Sequence, residues 1–442
     1  MGSWLKNPAR LVPLAFLLVI LLGTAVLMLP MARSGPGHAP LLTALFTATS
    51  AVAVTGLAVV DTAVYWTRFG QAVIYLLFQL GGVGIMTSAT LLVLLVSRRL
   101  SLSRQIVVTT ESRGIVFGDV RAVLRLALMV MAVVQGFVML AMLPHFLSLG
   151  LPPTDALWHA TFHAGAAFTN AGFSTLPGGV AAFASSPVFL MAVMAAVLVG
   201  ALGIPVFYDL SRAPRPDRRL SLHSKLTLVT TLGLYLISFV TTLLFEWSNT
   251  DTIGAMPVLD RVLNAAYHGF MSRSCGMNTF DMAAISEETL LITYGMMLVG
   301  GGSASTAGGL KVTTFAILLL AVWHEVRGNA DLTAFGRRIS PTVLRESLTV
   351  LVLALGLLAL GIMTLRLVSD LPLRQVVFEA ISAFANVGLS MNATPLFPPA
   401  GQTVLIVLMF VGRVGTITLA TGLALRSRRA DFRYPEERPI VG

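Results

Sequence analysis

The stretch Ala385-Asn386-Val387-Gly388-Leu389 follows an apolar helical run, residues 373–384, that is too short to cross a membrane. Three other stretches have the same form and follow equally short runs at 39–51, 154–168 and 259–272: Ala53-Val54-Thr55-Gly56-Leu57, Thr169-Asn170-Ala171-Gly172-Phe173 and Ser274-Cys275-Gly276-Met277. They recur at a period of roughly 110 residues, which indicates an internal repeat. The repeated unit is therefore a span, a half-length helix, a glycine loop and a second span.

Composition places this unit in a lipid bilayer. Of the 442 residues, 56% are hydrophobic and 11% are charged, whereas soluble proteins carry about 25% charged residues. Apolar runs near the length of a membrane-crossing helix recur at 11–30, 71–96, 226–245 and 343–365. We therefore predict an all-α integral membrane protein with eight transmembrane helices and four re-entrant pore loops around a central pore.

The repeats divide the chain into four units and a tail. The predicted boundaries are 1–97, 98–211, 212–327 and 328–427, followed by a cytoplasmic tail at 428–442. Because each unit crosses the membrane an even number of times, all four share one orientation. An axis along the membrane normal would then relate them and leave a pore at its centre.

Basic residues cluster in alternate connections, whereas the intervening loops carry acidic residues such as Asp61 and Asp370. This asymmetry follows the positive-inside rule and predicts a multi-pass protein of the cell membrane with both termini in the cytoplasm. It also accounts for the net charge of +10 without nucleic acid. The single cysteine, Cys275, excludes an internal disulfide framework.

The glycine loops predict a cation pathway. Non-helical backbone at membrane depth is tolerated where it lines a water-filled path, and glycine lets carbonyl groups point inward. Rings of carbonyl oxygens replace the hydration shell of K+, and four half-helices would direct their negative ends at the ion. We predict the narrowest ring at the four glycines, with K+ on the backbone carbonyls of Val54, Thr55, Gly56, Asn170, Ala171, Gly172, Ser274, Cys275, Gly276, Asn386, Val387 and Gly388. The alternative is that these are ordinary loop glycines among the 39 in the chain.

A second glycine-rich run interrupts the sixth predicted span. Each glycine costs a helix about 1 kcal/mol relative to alanine, so this run cannot be a continuous helix. We predict a flexible flap that gates the path, and the alternative is a fixed break. The predicted gate residues are Gly300, Gly301, Gly302, Ser303, Ser305, Thr306, Gly308, Gly309, Lys311 and, from the last span, Arg413.

Charged and histidine residues near the loops leave several interpretations open. Arg413, at membrane depth, is either a barrier to cations or is paired with a carbonyl or carboxylate. Arg273 is expected to bond pore-loop carbonyls. Glu379 either contributes a negative electrostatic field at the outer mouth of the pore or forms an ion pair with a basic residue such as Arg374. A pair of histidines four residues apart, at 159 and 163, could bind zinc but lacks a third ligand, so packing is the favoured interpretation.

With these motifs, the chain resembles the Trk/Ktr/HKT superfamily of potassium transporters, most closely the Ktr-type membrane subunit, KtrB. The resemblance covers nearly the whole length. Besides the loops and the flap, it rests on Gln79-Leu80-Gly81-Gly82-Val83-Gly84, on Gly412-Arg413-Val414-Gly415-Thr416 and on the ending Tyr434-Pro435-Glu436-Glu437-Arg438-Pro439-Ile440-Val441-Gly442. Cys275 departs from the small alanine usual in the third loop.

The resemblance implies a homodimer, a cytoplasmic ATP- or ADP-binding regulatory ring of the KtrA/TrkA type, and an intramembrane gate made by the flap and Arg413. It also implies K+ as the substrate, with Na+ as an activator and no organic cofactor. A sodium or weakly selective cation pathway is the runner-up. A membrane-embedded enzyme is disfavoured because no nucleophiles, carboxylate pairs or metal ligands converge within the spans, and a structural scaffold would leave liposomes ion-tight.

Overall fold

The computed structural model describes residues 8–98, 120–212, 220–329 and 331–415. The predicted cytoplasmic tail, with the ending that begins at Tyr434, lies outside these residues. So do Thr416 and parts of the basic connections, which include Lys6, Arg99, Arg104, Arg113, Arg215, Arg218 and Arg219.

Helices make up almost all the regular structure of the described ranges. Their bounds are α1 Pro8–Leu27, α2 Leu41–Val52, α3 Thr62–Tyr65, α4 Arg68–Arg98, α5 Val120–Ser148, α6 Pro153–Thr169, α7 Pro187–Leu202, α8 Ile204–Arg212, α9 Leu222–Glu246, α10 Val258–Met271, α11 Glu287–Leu298, α12 Val312–Val326, α13 Pro341–Val368, α14 Leu373–Ala385 and α15 Pro399–Phe410. A short antiparallel hairpin, β1 Thr333–Ala334 and β2 Arg337–Arg338, lies between α12 and α13.

The four half-helices, α2, α6, α10 and α14, all begin directly after a proline. Pro40, Pro152, Pro257 and Pro372 take φ from −57° to −53° and ψ from 141° to 152°. Proline fixes φ and has no N–H to donate, so it suits the position just before a first helical turn. The four predicted short runs are confirmed to within two residues at each end.

Three described helices are long and apolar enough to cross a bilayer: Leu124–Ser148 within α5, Leu222–Glu246 and Pro341–Val368. Large apolar side chains remain exposed along them, among them Phe137 and Leu360, as expected where lipid is the solvent. The protein is therefore a multi-pass membrane protein, and its eight-span arrangement stays a prediction.

Two of the predicted spans are broken. Helices α7 and α8 meet at an angle of 93°, where Gly203 has φ +89° and Pro205 lies in the first turn of α8. The fourth predicted span is therefore bent at this point, because a positive φ cannot continue an α-helix. The sixth predicted span divides into α11 and α12, on either side of the flap, residues 300–311.

The buried core is organised around the half-helices. Phe46, Phe162 and Phe378, the aromatic residues at matching places in three repeats, are all fully buried. One hydrophobic cluster lies mainly in the first two repeats and another mainly in the last two. Phe46 belongs to the second cluster and Met271 to the first, so the two halves of the chain interlock beside the glycine loops.

Candidate functional site

The four loop glycines lie side by side in a closed ring, called here the glycine ring. At each position an added Cβ atom would come within 2.6 Å of a backbone atom of a neighbouring loop. In order around the ring, Gly56 faces Ala171, Gly172 faces Cys275, Gly276 faces Gly388, and Gly388 faces Thr55. The loops therefore meet in chain order, and those of the second and fourth repeats are opposite each other.

The loops that follow α2, α6 and α14 share one backbone design. Two residues before the glycine, Val54, Asn170 and Asn386 take φ between +53° and +61°. The next N–H then donates back into the half-helix, with N–O distances of 2.7 to 2.9 Å. Such a left-handed cap ends a helix sharply and satisfies its last carbonyls. It turns each chain directly from the half-helix into the ring.

The third loop is built differently. Its left-handed non-glycine residue is Cys275 (φ +84°), one residue before Gly276 instead of two. The thiol is fully buried and lies 3.9 Å from the carbonyl oxygen of Ala166 in the second half-helix. The third loop thus differs from the other three in its backbone conformation. It is also the loop in which Cys275 takes the place of the small alanine that is usual in the resembled family.

Two serines that the sequence reasoning missed support the ring. The hydroxyl oxygens of Ser50 and Ser382 accept hydrogen bonds of 3.1 Å from the N–H groups of Gly56 and Gly388. Both serines lie six residues before their ring glycine, so an alignment of the repeats on the glycines identifies them. Each bond fixes the amide of a ring residue to its own half-helix.

The flap is a folded segment with defined contacts. Gly300 N donates to the carbonyl of Leu310 at 2.9 Å, which closes the base of the flap. Gly302 N donates to Ala201 O at 2.8 Å, next to the break between α7 and α8. The remaining predicted flap residues lie within or at the end of this segment: Gly301, Ser303, Ser305, Thr306, Gly308, Gly309 and Lys311.

Thr306 connects the flap to the second loop. Its hydroxyl accepts a hydrogen bond of 2.6 Å from Asn170 Nδ2 and lies 3.2 Å from the Phe168 carbonyl. On the opposite side, a Cβ atom on Gly308 would overlap the carbonyl of Ala385, at the end of the fourth half-helix. The flap therefore lies against two opposite loops, next to the residues that precede their ring glycines.

Arg413 brings a charge from the last span to the flap. It lies in a π-helical turn, Val411–Gly415, and is 2% exposed. Its guanidinium donates to the carbonyl oxygen of Thr306 at 2.5 Å, and Lys311 Nζ donates to Ala307 O at 2.8 Å. Of the two interpretations of Arg413, this geometry contains the pairing with a carbonyl group. That carbonyl belongs to Thr306 of the flap.

Arg273 contacts the other end of the flap. It is buried, donates to the carbonyls of Val299 (3.2 Å) and Gly300, and lies 4.6 Å from the ring centroid of Tyr235. The expectation that it bonds pore-loop carbonyls was wrong, because the carbonyls it bonds belong to α9 and to the base of the flap. Two buried arginines thus hold the flap, one at its base and one at its middle.

Glu379 and the histidine pair face the segments that follow the glycines. Glu379 is fully buried and does not anchor Arg374, which pairs with Glu287 at 2.8 Å. His159 contacts Thr175 and His163 contacts Ser174. Among the described residues, no group of three or more His, Cys, Asp or Glu side chains is placed to hold a metal ion.

Comparison with known proteins adds a family and close relatives. Residues 14–430 match the model of the TrkH family, described as cation transport proteins. The Ktr system potassium uptake protein B of Bacillus subtilis is 34% identical, over 100% of this chain and 98% of that protein. The potassium/sodium uptake protein NtpJ of Enterococcus hirae is 33% identical, over 99% of this chain and 97% of that protein.

A solved structure gives an independent view of the fold. The crystal structure of the potassium transporter TrkH from Vibrio parahaemolyticus superposes with a TM-score of 0.72. It covers 95% of this chain and 85% of the other, at 18% sequence identity. The similarity therefore concerns the fold: the overall arrangement of helices is one that a solved transporter also adopts.

Proposed function

The chain belongs to the TrkH family of cation transport proteins, and from that premise we propose that it is the membrane subunit of a potassium uptake system. In this proposal K+ crosses a gated pore down its electrochemical gradient. The observation that carries it is the closed ring of four glycine loops, each at the end of a half-helix. Family membership also agrees with the expectation of a transporter rather than an enzyme.

The ring acts as the selectivity filter in this proposal. Its glycines let four backbones approach within van der Waals contact, which side chains would prevent. Carbonyl oxygens of the three residues at each loop replace the water around a K+ ion. The half-helices add the negative ends of their dipoles, a favourable field for a cation. The site needs no carboxylate cage, which suits a weakly hydrated monovalent ion.

The flap and Arg413 act as the gate. The flap lies against two opposite loops of the ring, and its Thr306 carbonyl is bonded to a buried guanidinium. A positive charge at this place repels a cation that leaves the ring. Opening then requires the flap to release a small number of hydrogen bonds, each worth about 0.5–3 kcal/mol.

The proposed assembly follows the charge pattern of the sequence and the family resemblance that its motifs imply. The subunit crosses the cell membrane eight times with both termini in the cytoplasm, and it pairs as a homodimer. A cytoplasmic ring of nucleotide-binding subunits controls the flap, and Na+ stimulates uptake. No organic cofactor takes part.

A sodium or weakly selective pathway is the second candidate. It is favoured by one relative, the potassium/sodium uptake protein of Enterococcus hirae, and by the different conformation of the third loop at Cys275. A ring with one altered side could bind a smaller ion or discriminate less between ions.

Uptake of Rb+ or K+ by a transport-deficient bacterial strain tests the proposal. The strain expresses the wild type or Gly56→Ser, each with and without a nucleotide-binding regulatory subunit. We expect wild-type uptake that prefers K+ over Na+, and loss of that preference in Gly56→Ser. Preference for Na+ in the wild type would favour the second candidate. Absence of flux despite folded protein in the membrane would refute the transporter.

A further inference from the structure

Aligned on the ring glycines, the repeats place a conspicuous residue nine positions earlier in each half-helix. The four residues are Thr47, His163, Tyr267 and Glu379, and all are buried. Two positions after the glycine, the chain has Ala58, Ser174, Asn278 and Ser390. Only the second and fourth repeats therefore combine a hydrogen-bonding acid or imidazole before the ring with a serine beyond it.

In the fourth repeat these two positions are joined. The hydroxyl of Ser390 donates to Glu379 Oε1 at 2.5 Å. The same oxygen accepts from the N–H of Met391 at 3.0 Å, and Oε2 accepts from the hydroxyl of Thr394 at 2.7 Å. The carboxylate of the half-helix thus holds the chain that leaves the ring by three hydrogen bonds.

In the second repeat the same contact is made by an imidazole. His163 Nδ1 lies 2.8 Å from the carbonyl oxygen of His159, and Nε2 lies 2.9 Å from the hydroxyl of Ser174. A carbonyl only accepts, so in the neutral ring Nδ1 carries the proton and Nε2 accepts from the hydroxyl of Ser174. Ser174 and Ser390 therefore donate in the same direction, each to its own half-helix.

The first and third repeats do not form this pair. Ala58 has no polar side chain, and Asn278 instead donates from Nδ2 to the carbonyl of Phe280 at 2.8 Å. Hydrogen bonds from a half-helix to the serine beyond the ring therefore occur in two repeats, the second and the fourth. The loops of these repeats are opposite each other, and both contact the flap.

We propose that Glu379 and His163 are selectivity-determining positioning residues, which fix the diameter of the ring by holding Ser390 and Ser174. The inference rests on the proposed function and adds to it the residues that keep the ring from contracting around Na+. The two serines direct their hydroxyls to the half-helices, so these side chains act as struts and do not coordinate the ion. Discrimination between K+ and a smaller ion depends on how firmly the oxygen ring keeps its size and field.

The test uses the full chain in proteoliposomes and compares initial 86Rb+ and 22Na+ fluxes. Ser390→Ala and Glu379→Gln are expected to lower the Rb+/Na+ flux ratio by about ten-fold, because each breaks the hydrogen-bond network around a buried carboxyl group. Ser174→Ala, which removes a neutral bond, is expected to lower it by about three-fold. Ser390→Thr keeps the hydroxyl and is expected to keep the ratio.

Glu246 provides the matched control. It is an equally buried carboxylate that accepts hydrogen bonds from Asn249, Thr252 and Ser286, but it lies at the end of α9 rather than beside a ring loop. Glu246→Gln makes the same chemical change and is expected to leave the flux ratio unchanged. A structural role for Glu379 alone would affect protein yield and thermal unfolding similarly in both variants, without a difference in the ratio.

The outcomes separate this inference from the proposed function. If the wild type conducts Rb+ but the serine variants keep its flux ratio, the inference is refuted and the pore stands. An equal fall of the ratio in Glu246→Gln would also refute it. If the wild type conducts neither ion, both the proposed function and the inference fail. Because the readout is a ratio, it applies whichever cation the wild type prefers.

Discussion

The glycine ring and the flap are neighbours that differ in how far buried charged side chains hold them. In the ring, backbone contacts backbone, and at each of four positions a single methyl group would collide with the next loop. The flap also has backbone contacts, but side chains hold it in addition: Arg273 at its base, and Arg413 and Asn170 at Thr306. Side-chain bonds of this kind can be broken and remade one at a time, whereas a backbone ring has no part that can be released separately. The difference suits a fixed selector beside a movable barrier.

The largest effect is expected from a substitution that disrupts the glycine ring itself. Gly388→Ala places a methyl group against the carbonyl of Thr55 at a φ of +92°. Strain and overpacking of this kind cost about 2–6 kcal/mol together, so we expect K+ uptake to fall about a hundred-fold. Uptake is measured in a transport-deficient strain, normalised to the amount of protein in the membrane.

Gly356→Ala is the control, because an added Cβ atom at this position of α13 meets nothing within 4 Å. It should leave uptake and protein abundance unchanged. Full uptake by Gly388→Ala would contradict the close-packed ring.

The second-largest effect is expected from a substitution that removes the contact between the flap and the last span. Arg413→Gln removes the charged donor to Thr306 and the positive charge beside the flap. We expect uptake without a regulatory subunit to rise about ten-fold, since a charge-assisted hydrogen bond contributes about 1.5–3 kcal/mol. Arg366→Gln is the matched control, because that arginine also donates to carbonyls but lies at the end of α13. Unchanged or reduced flux in intact Arg413→Gln protein would contradict a barrier at this position.

A smaller effect is expected at the base of the flap. Arg273→Lys keeps the charge but loses the planar fork that reaches two carbonyls and stacks on Tyr235. We expect regulator-independent uptake to rise about three-fold, together with a lower midpoint of thermal unfolding. Arg261→Lys is the control, since Arg261 also bonds carbonyls and stacks on Trp247 but is remote from the flap. Equal uptake in the two variants would show that the flap base does not limit flux.

The smallest effect tests single bonds within the ring. Ser50→Ala and Ser382→Ala each remove one acceptor for a ring amide, a loss of about 1 kcal/mol. We expect both to lower the K+/Na+ uptake ratio by about two-fold to five-fold, and Ser148→Ala, an exposed serine at the end of α5, to leave it unchanged. If K+ uptake itself fell further in either serine variant than in Gly388→Ala, the comparison between backbone and side-chain support would be inverted.

Sequence was sufficient for the half-helices and their loops because strong local signals define both. A proline begins each half-helix and a glycine with positive φ follows each, so start and end are written in residues whose backbone preferences are narrow. The side-by-side position of the four glycines also follows from repetition alone, since like units arranged about one axis bring like positions together.

Long-range side-chain contacts were beyond the same reasoning. Arg273 adjoins the third loop in the chain, yet it bonds the flap base 26 and 27 residues away. The sequence allowed an ion pair between Glu379 and Arg374, five residues earlier, but Arg374 pairs with Glu287, 87 residues distant. The break between α7 and α8 did carry a local signal, in Gly203 and Pro205, and it went unrecognised inside a long apolar segment.

The π-helical turn at Val411–Gly415 has a consequence for the tolerance of the chain to deletions. A π turn holds one more residue than an α turn spanning the same helix. Removing one residue just before Arg413 would let the helix close into regular α geometry, at little cost to its hydrogen bonds. Because a π turn takes up its extra residue within the turn itself, the displacement would be confined to Val411–Gly415, the turn that carries Arg413 to Thr306. The bond between Arg413 and the flap is thus set locally, by one additional residue within a single helical turn.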